Sequence, residues 1–243
     1  MILNGSPMSL WASDQYLDNK ASWIAYSLSQ GWGTVEFLSA LVTDEKNFRE
    51  VNKINRRIKA ANFRTQAAIE MIDYTADRNL TKALVKDLMQ LTYIKANPGN
   101  IIIEGPTGVG KTFLSTALGH HACRHGYSTI FMGLTVFVEK LLMARTDGTY
   151  LKLRERLIKT DFLIIDDVGL KKLPAQVAQD LHDLLEERQE KSTMITTQLP
   201  LKNWNEIIED ELALDTIVDK LQHGSIHIKI DGDTYRKKKA KKP

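Results

Sequence analysis

"IIIEGPTGVGKTF" occupies residues 101–113. Three isoleucines predict a short buried strand, glycines break it after Glu104, and Lys111 with Thr112 opens a helix. Gly105-Pro106-Thr107-Gly108-Val109-Gly110-Lys111-Thr112 fits G-x-x-x-x-G-K-[ST], with Phe113 following. The glycines let consecutive backbone N–H groups turn inward around phosphates. Lys111 adds a mobile positive charge, Thr112 is placed to hold Mg²⁺, and the helix presents its positive N-terminus to the same phosphates. Residues 105–113 are therefore the expected binding segment for a nucleoside triphosphate, with ATP and Mg²⁺ as cofactors.

"DFLIIDDVG", residues 161–169, reads as a second apolar strand, one that ends in two carboxylates. Beside the strand at 101–104, it would bring Asp166 to the metal and Asp167 to a position where it polarises the attacking water. Aspartate at 167 is shorter than the glutamate common at such a position, which points to hydrolysis that is slow or dependent on assembly. "STMITTQLP", residues 192–200, is a further strand ending in polar groups, so Thr197 or Gln198 is a candidate to orient the water.

Strands predicted at 101–104, 128–132, 162–166, 194–197 and 225–230 alternate with helical patterns, which gives an α/β fold with a parallel sheet and helices on both faces. Leu80, Leu84, Leu88, Leu91 and Ile94 recur at helical spacing and predict one helix, stopped by "NPG" at 97–99. Residues before Tyr74 read as helical. The organisation expected is a small all-helical N-terminal domain at 1–74, an ATPase domain at 75–235 without a sizeable C-terminal lid, and a basic tail at 236–243. Of 33 basic residues, six lie in "RKKKAKK" at 236–242, so the body is slightly acidic against 30 acidic residues. The single Cys123 excludes an internal disulfide and an all-cysteine zinc site. With no predicted leader or membrane span, the reading is a cytoplasmic protein with no membrane partner.

"GPTGVGKTFLSTALGHHACRHGYSTIF", "DFLIIDDVGL", "STMITTQLPLKNWNEII" and "DTIVDKLQHGSIHIKI" together resemble the IstB-like AAA+ ATPases, helpers of insertion-sequence transposition that are similar to the DnaC helicase loaders. "VEFLSALVTDEKNFREVNKINRRIKAANF" extends the resemblance upstream, so that it covers most of residues 34–236. The resemblance implies a P-loop AAA+ fold and a homo-oligomer on DNA that recruits or regulates a transposase. It also implies a nucleotide held between subunits and completed by an arginine from the neighbour. Lys220 stands at the matching position, in "IVDKL" where the family usually reads D-R-L. A lysine offers a point charge without the planar fork of arginine, so either activation across the interface is weakened or another residue performs it.

DNA-contacting candidates follow from charge. At 100° per residue Val51, Ile54 and Ile58 share one helix face, while Lys46, Arg49, Lys53, Arg56 and Lys59 share the opposite one, a stripe suited to a phosphate backbone. Lys152, Arg156 and Lys159 share a face of "TYLKLRERLIKTD" (149–161), a region that faces the central channel in similar ATPases. No base-reading set is apparent, so the expected partner is duplex DNA with little sequence preference. His120, His121 and His125 lie on one helix without the carboxylates or cysteines of a metal site and read as packing residues. Trp11, Trp23 and Trp32 read as N-terminal core. Three other readings compete: a helicase loader on single-stranded DNA, a scaffold that uses ATP only as a switch, and a small-molecule kinase.

Overall fold

Among the residues described by the computed structural model, 29–74, 79–96, 98–169 and 171–232, five strands form one parallel sheet. They are β1 (Ile101–Glu104), β2 (Thr129–Gly133), β3 (Phe162–Val168), β4 (Ser192–Thr197) and β5 (Ile226–Lys229), in spatial order β2-β3-β4-β1-β5. Trp11, Trp23, Asn97 and the tail at 236–242 lie outside the described residues.

The side chains of a strand alternate between faces, so a sheet covered on both sides demands apolar residues at every position. Ile102, Leu163, Ile165 and Ile195 belong to one core cluster, while Ile101, Ile103, Phe162, Ile164 and Met194 belong to the other. The first cluster is completed by residues of helices α5 (Leu134–Thr146), α6 (Tyr150–Lys159), α7 (Ala175–Glu187) and α8 (Glu211–Gln222). The second is completed by α2 (Lys82–Met89), α3 (Thr92–Lys95) and α4 (Lys111–Arg124). The result is the predicted three-layer arrangement. After β4 come a 3-10 segment (Leu201–Glu206), α8 and β5 among the described residues.

The helix predicted from Leu80 to Ile94 is instead two helices. Thr81 caps α2, its hydroxyl accepting from Leu84 N at 3.1 Å, which leaves Leu80 outside. Leu91 then adopts a left-handed backbone, φ 55°, between α2 and α3. That conformation costs about 1–2 kcal/mol for an L-residue, and burial of the Leu91 side chain, 2% exposed, offsets it. The apolar period survives the break because Leu80, Leu88 and Leu91 all reach the same core cluster.

The chain divides into two compact units, Met1–Lys53 and Ile54–Pro243, at a point inside helix α1 (Thr34–Ala61). In the first unit, Glu36 accepts a 2.8 Å hydrogen bond from Gly33 N and closes the start of α1. In the second, Phe63 follows α1 and lies against α4, where Gly119 makes room: a Cβ there would stand 2.6 Å from Phe63 Cε1. No helix among the described residues is long and apolar enough to cross a membrane.

Candidate nucleotide site and basic surfaces

β1 delivers the chain at its C-terminal end into the loop 105–110, and α4 departs from it. Gly108 and Gly110 take φ values of 86° and 105°, which turn the backbone as an L-side chain would resist. Gly110 caps α4 without any side-chain hydrogen bond, so the first N–H groups of the helix remain available to an anion. Lys111 Nζ donates to Gly105 O at 2.8 Å and to Pro106 O at 3.0 Å, folded back over its own loop. Burial lowers its pKa, and the charges of Asp167 and Asp166 work in the opposite direction.

A cavity of about 340 Å³ lies along this loop. Thr107, Gly108, Gly110, Lys111, Thr112 and Phe113 line one side, and Asp167 and Gln198 reach it from the ends of β3 and β4. Val109 turns into the core beneath the loop instead. Met71, Ile72, Asp73 and Leu80 complete the wall. Met71, Ile72 and Asp73 escaped the sequence reading because they carry no motif, and the sequence marks Leu80 only as part of a helix; only the fold brings the segment after α1 beside the loop. The apolar surface of Met71, Ile72 and Leu80 suits a flat base as the opposite wall suits phosphates.

Asp166 is fully buried at the end of β3. Its Oδ2 accepts from Thr112 Oγ1 at 3.0 Å and its Oδ1 from Thr196 Oγ1 at 2.6 Å. Burial raises its pKa, with the Thr196 hydrogen bond opposing and the charge of Asp167 adding to the effect. A buried carboxylate whose hydrogen bonds come from neutral hydroxyls is an oxygen donor set that fits Mg²⁺, the partner that would favour its ionised form.

Asp167 owes its place to a bulge. Ile165 pairs with Ile195, but the next pair is Val168 with Thr197, so β3 spends three steps where β4 spends two. The extra residue bends the strand. Asp167 takes φ 60°, its N–H donates to Thr196 Oγ1 at 2.9 Å, and its side chain faces the cavity. Of the β4 candidates, Gln198 does reach the cavity, where its Oε1 accepts from Thr107 Oγ1 at 2.5 Å. Thr197 does not: its hydroxyl is used in the turn, donating to Leu199 O and accepting from Leu199 N. Thr196, one residue earlier, is the β4 threonine that touches Asp166.

Lys220 is absent from the cavity wall. Its Nζ pairs with Glu186 of α7, and its carbonyl accepts from Asn100 Nδ2 at 2.9 Å, beside the start of β1 and so at the opposite end of that strand from the phosphate loop.

The basic candidates are all exposed. In the first unit, Arg49 pairs with Glu45 at 2.6 Å and Lys53 with Glu50 at 3.5 Å, while Lys46 stands nearby on α1. In the second, Arg56 and Lys59 occupy the last turns of α1, and α6 carries Lys152, Arg156 and Lys159. Arg156 reaches Ala60 O at 3.4 Å, and Lys159 pairs with Glu155 at 2.6 Å. Exposed pairs of this kind contribute about 0–1 kcal/mol, so these cations can exchange a carboxylate for a phosphate at little cost. Val51 is 53% exposed, so the opposite face of α1 is not uniformly buried.

A family profile described as IstB-like ATP binding protein matches residues 17–243. The insertion sequence ATP-binding protein y4pL of Sinorhizobium fredii is 38% identical over 208 residues, 85% of this chain and 84% of that protein. The insertion sequence IS21 ATP-binding protein of Pseudomonas aeruginosa is 30% identical over 208 residues, 85% of this chain and 78% of that protein. Among solved structures, the replication initiator DnaA bound to AMPPCP and single-stranded DNA aligns with a TM-score of 0.59 at 20% identity, over 71% of this chain and 52% of that one. The DnaC helicase loader aligns with a TM-score of 0.52 at 20% identity, over 72% of this chain and 98% of that one. Similarity at that level establishes a shared fold, the parallel sheet with its flanking helices.

Proposed function

The chain belongs to the family of IstB-like ATP binding proteins, and from that membership we propose that it is a cytoplasmic ATP hydrolase that oligomerises on duplex DNA and assists a transposase in insertion-sequence transposition. The observation that carries the hydrolase reading is the convergence of Lys111, Thr112, Asp167 and Gln198 on one cavity, with Asp166 buried behind Thr112.

In this reading the triphosphate lies along residues 105–113 and the base against Met71, Ile72 and Leu80. Lys111 exchanges the carbonyls of Gly105 and Pro106 for phosphate oxygens, which offer a full negative charge in place of two dipoles. Thr112 and Asp166 would hold Mg²⁺, which when bound supplies neutralisation of the phosphate charge. Asp167 takes up the proton of the attacking water, and Gln198 helps to orient that water. Lys220, remote from its own cavity, acts on the nucleotide of a neighbouring subunit once released from Glu186.

Lys46, Arg49, Lys53, Arg56 and Lys59 of α1 contact DNA phosphates, as do Lys152, Arg156 and Lys159 of the ATPase domain at 75–235. The tail at 236–243 adds a basic arm. Contacts of this type position a protein on DNA without reading sequence.

The test is assembly of Asp167→Asn in ATP, followed by size-exclusion chromatography and electron microscopy with linear duplex DNA. The expected result is stable DNA-bound oligomers. A monomeric, DNA-free protein would overturn the reading, and a clear preference for single-stranded DNA would redirect it to helicase loading.

A further inference from the structure

A second cavity, about 590 Å³, opens beside the nucleotide site between the end of α1, the segment 62–71 and the last turns of α4. Lys59, Arg64 and Arg124 line it, and no aspartate or glutamate does. Arg49, Lys53 and Lys159 each hold a carboxylate within 4.0 Å. Lys59, Arg64 and Arg124 have no carboxylate that close among the described residues, although the charge of Arg64 acts on Asp166. Three like charges around one concavity repel one another unless an anion sits among them.

A second observation lies at the cavity wall. His120 is 7% exposed, stacks on Phe63 with ring centroids 4.2 Å apart and has the Thr65 backbone as a hydrogen-bond partner, so the ring is held in place as part of the wall. Asn55, Asn62, Thr65 and Gln66 add neutral donors around the same space.

We propose that this cavity is a phosphate-binding site for the nucleic-acid backbone, distinct from the nucleotide site and held by Arg64, Arg124 and Lys59. This inference rests on the DNA-binding reading above and adds to it two arginines that lie outside both basic helix faces. A phosphodiester fits because it carries one negative charge with two free oxygens, the geometry a guanidinium grips bidentately. The site also borders the machinery of hydrolysis. Met71 lines both cavities, and Arg64 lies against Gly133, where a Cβ would stand 2.4 Å from Nη2. Gly133 pairs with Asp166 across β2 and β3.

The experiment measures binding of a fluorescein-labelled duplex of random sequence to the full chain in ATP, by anisotropy at several salt concentrations. Wild type is compared with Arg124→Glu and with Lys86→Glu, an exposed reversal on α2 that serves as the charge control. Arg124→Glu should weaken binding about tenfold or more and reduce the salt slope by about 1, as loss of a phosphate contact does. Lys86→Glu should stay within about twofold. Thermal unfolding and binding of a fluorescent ATP analogue verify the fold, and Arg124→Gln replaces the reversal if that variant does not fold. Equal affinity and slope for the Arg124 and Lys86 variants would overturn the site while leaving DNA binding intact. A wild-type chain that binds neither duplex nor single-stranded DNA would instead remove the DNA reading itself, and this site with it.

Discussion

Thr196 Oγ1 donates a 2.6 Å hydrogen bond to Asp166 Oδ1 and accepts one of 2.9 Å from Asp167 N, so a single β4 hydroxyl positions both acids of β3. A hydrogen bond to a charged group contributes about 1.5–3 kcal/mol. Thr196→Val keeps the shape and removes the hydroxyl. It should leave ATP affinity within about threefold and lower steady-state turnover about tenfold or more. Thr196→Ser should recover most of the activity, which separates the lost hydroxyl from a packing defect.

Asp167 sits at φ 60°, a conformation that aspartate and asparagine tolerate and that a β-branched residue resists. Asp167→Asn should therefore melt close to the wild type and still bind ATP, yet show almost no phosphate release, because an amide cannot take a proton from water. Asp167→Val should lose about 1–2 kcal/mol of stability besides. Paired denaturation and phosphate-release assays check both outcomes.

Asp161 ties the start of β3 to its neighbours. It accepts from Lys191 Nζ at 2.7 Å, Ser128 Oγ at 2.7 Å and Ser128 N at 3.0 Å. Burial works against its ionisation, but the hydrogen bonds from Lys191 and Ser128 outweigh that, and its pKa falls below the ordinary carboxylate value. A depressed folded pKa contributes stability that is complete above the unfolded value and is lost as pH falls through the folded one. Asp161→Asn should accordingly be less stable than wild type by a constant margin from about pH 5 to 8, a margin that narrows below about pH 4. Chemical denaturation across that range measures it.

Arg188 is 2% exposed and donates to Leu157 O, Ile158 O, Thr160 O, Ser192 O and Thr193 Oγ1. Burial pushes its pKa down to about 10, which leaves it protonated at neutral pH. Arg188→Met fills much of the same volume but strands several buried acceptors. Stability should fall by about 3 kcal/mol or more, while the surviving folded protein binds ATP with unchanged affinity, since Arg188 does not line the nucleotide cavity.

What could be read along the chain was what repeats or what chemistry fixes at short range. Alternating strands and helices follow from apolar runs of different length, and the phosphate loop follows from glycine spacing before Lys111. The expected helix from Leu80 to Ile94 failed at Leu91 because a periodic pattern is compatible with a local left-handed kink when the side chain is buried on both sides of it. Of Thr197 and Gln198, named to orient the water, only Gln198 lines the cavity, because a turn consumes the Thr197 hydroxyl, while the contact of Thr196 with Asp166 carried no mark in the sequence.

By itself, then, the sequence determined the α/β class, the glycine-rich loop before Lys111 and the two acids at the end of β3. Tertiary structure alone decided that Met71, Ile72 and Leu80 close the cavity along that loop, that a bulge turns Asp167 toward it, and that Arg64 and Arg124 meet Lys59 around a second cavity. The physical reason is the range of the interactions. Backbone dihedrals and side-chain periodicity act over a few residues, whereas a cavity wall is built by whichever segments packing brings together, and their separation along the chain carries no local mark.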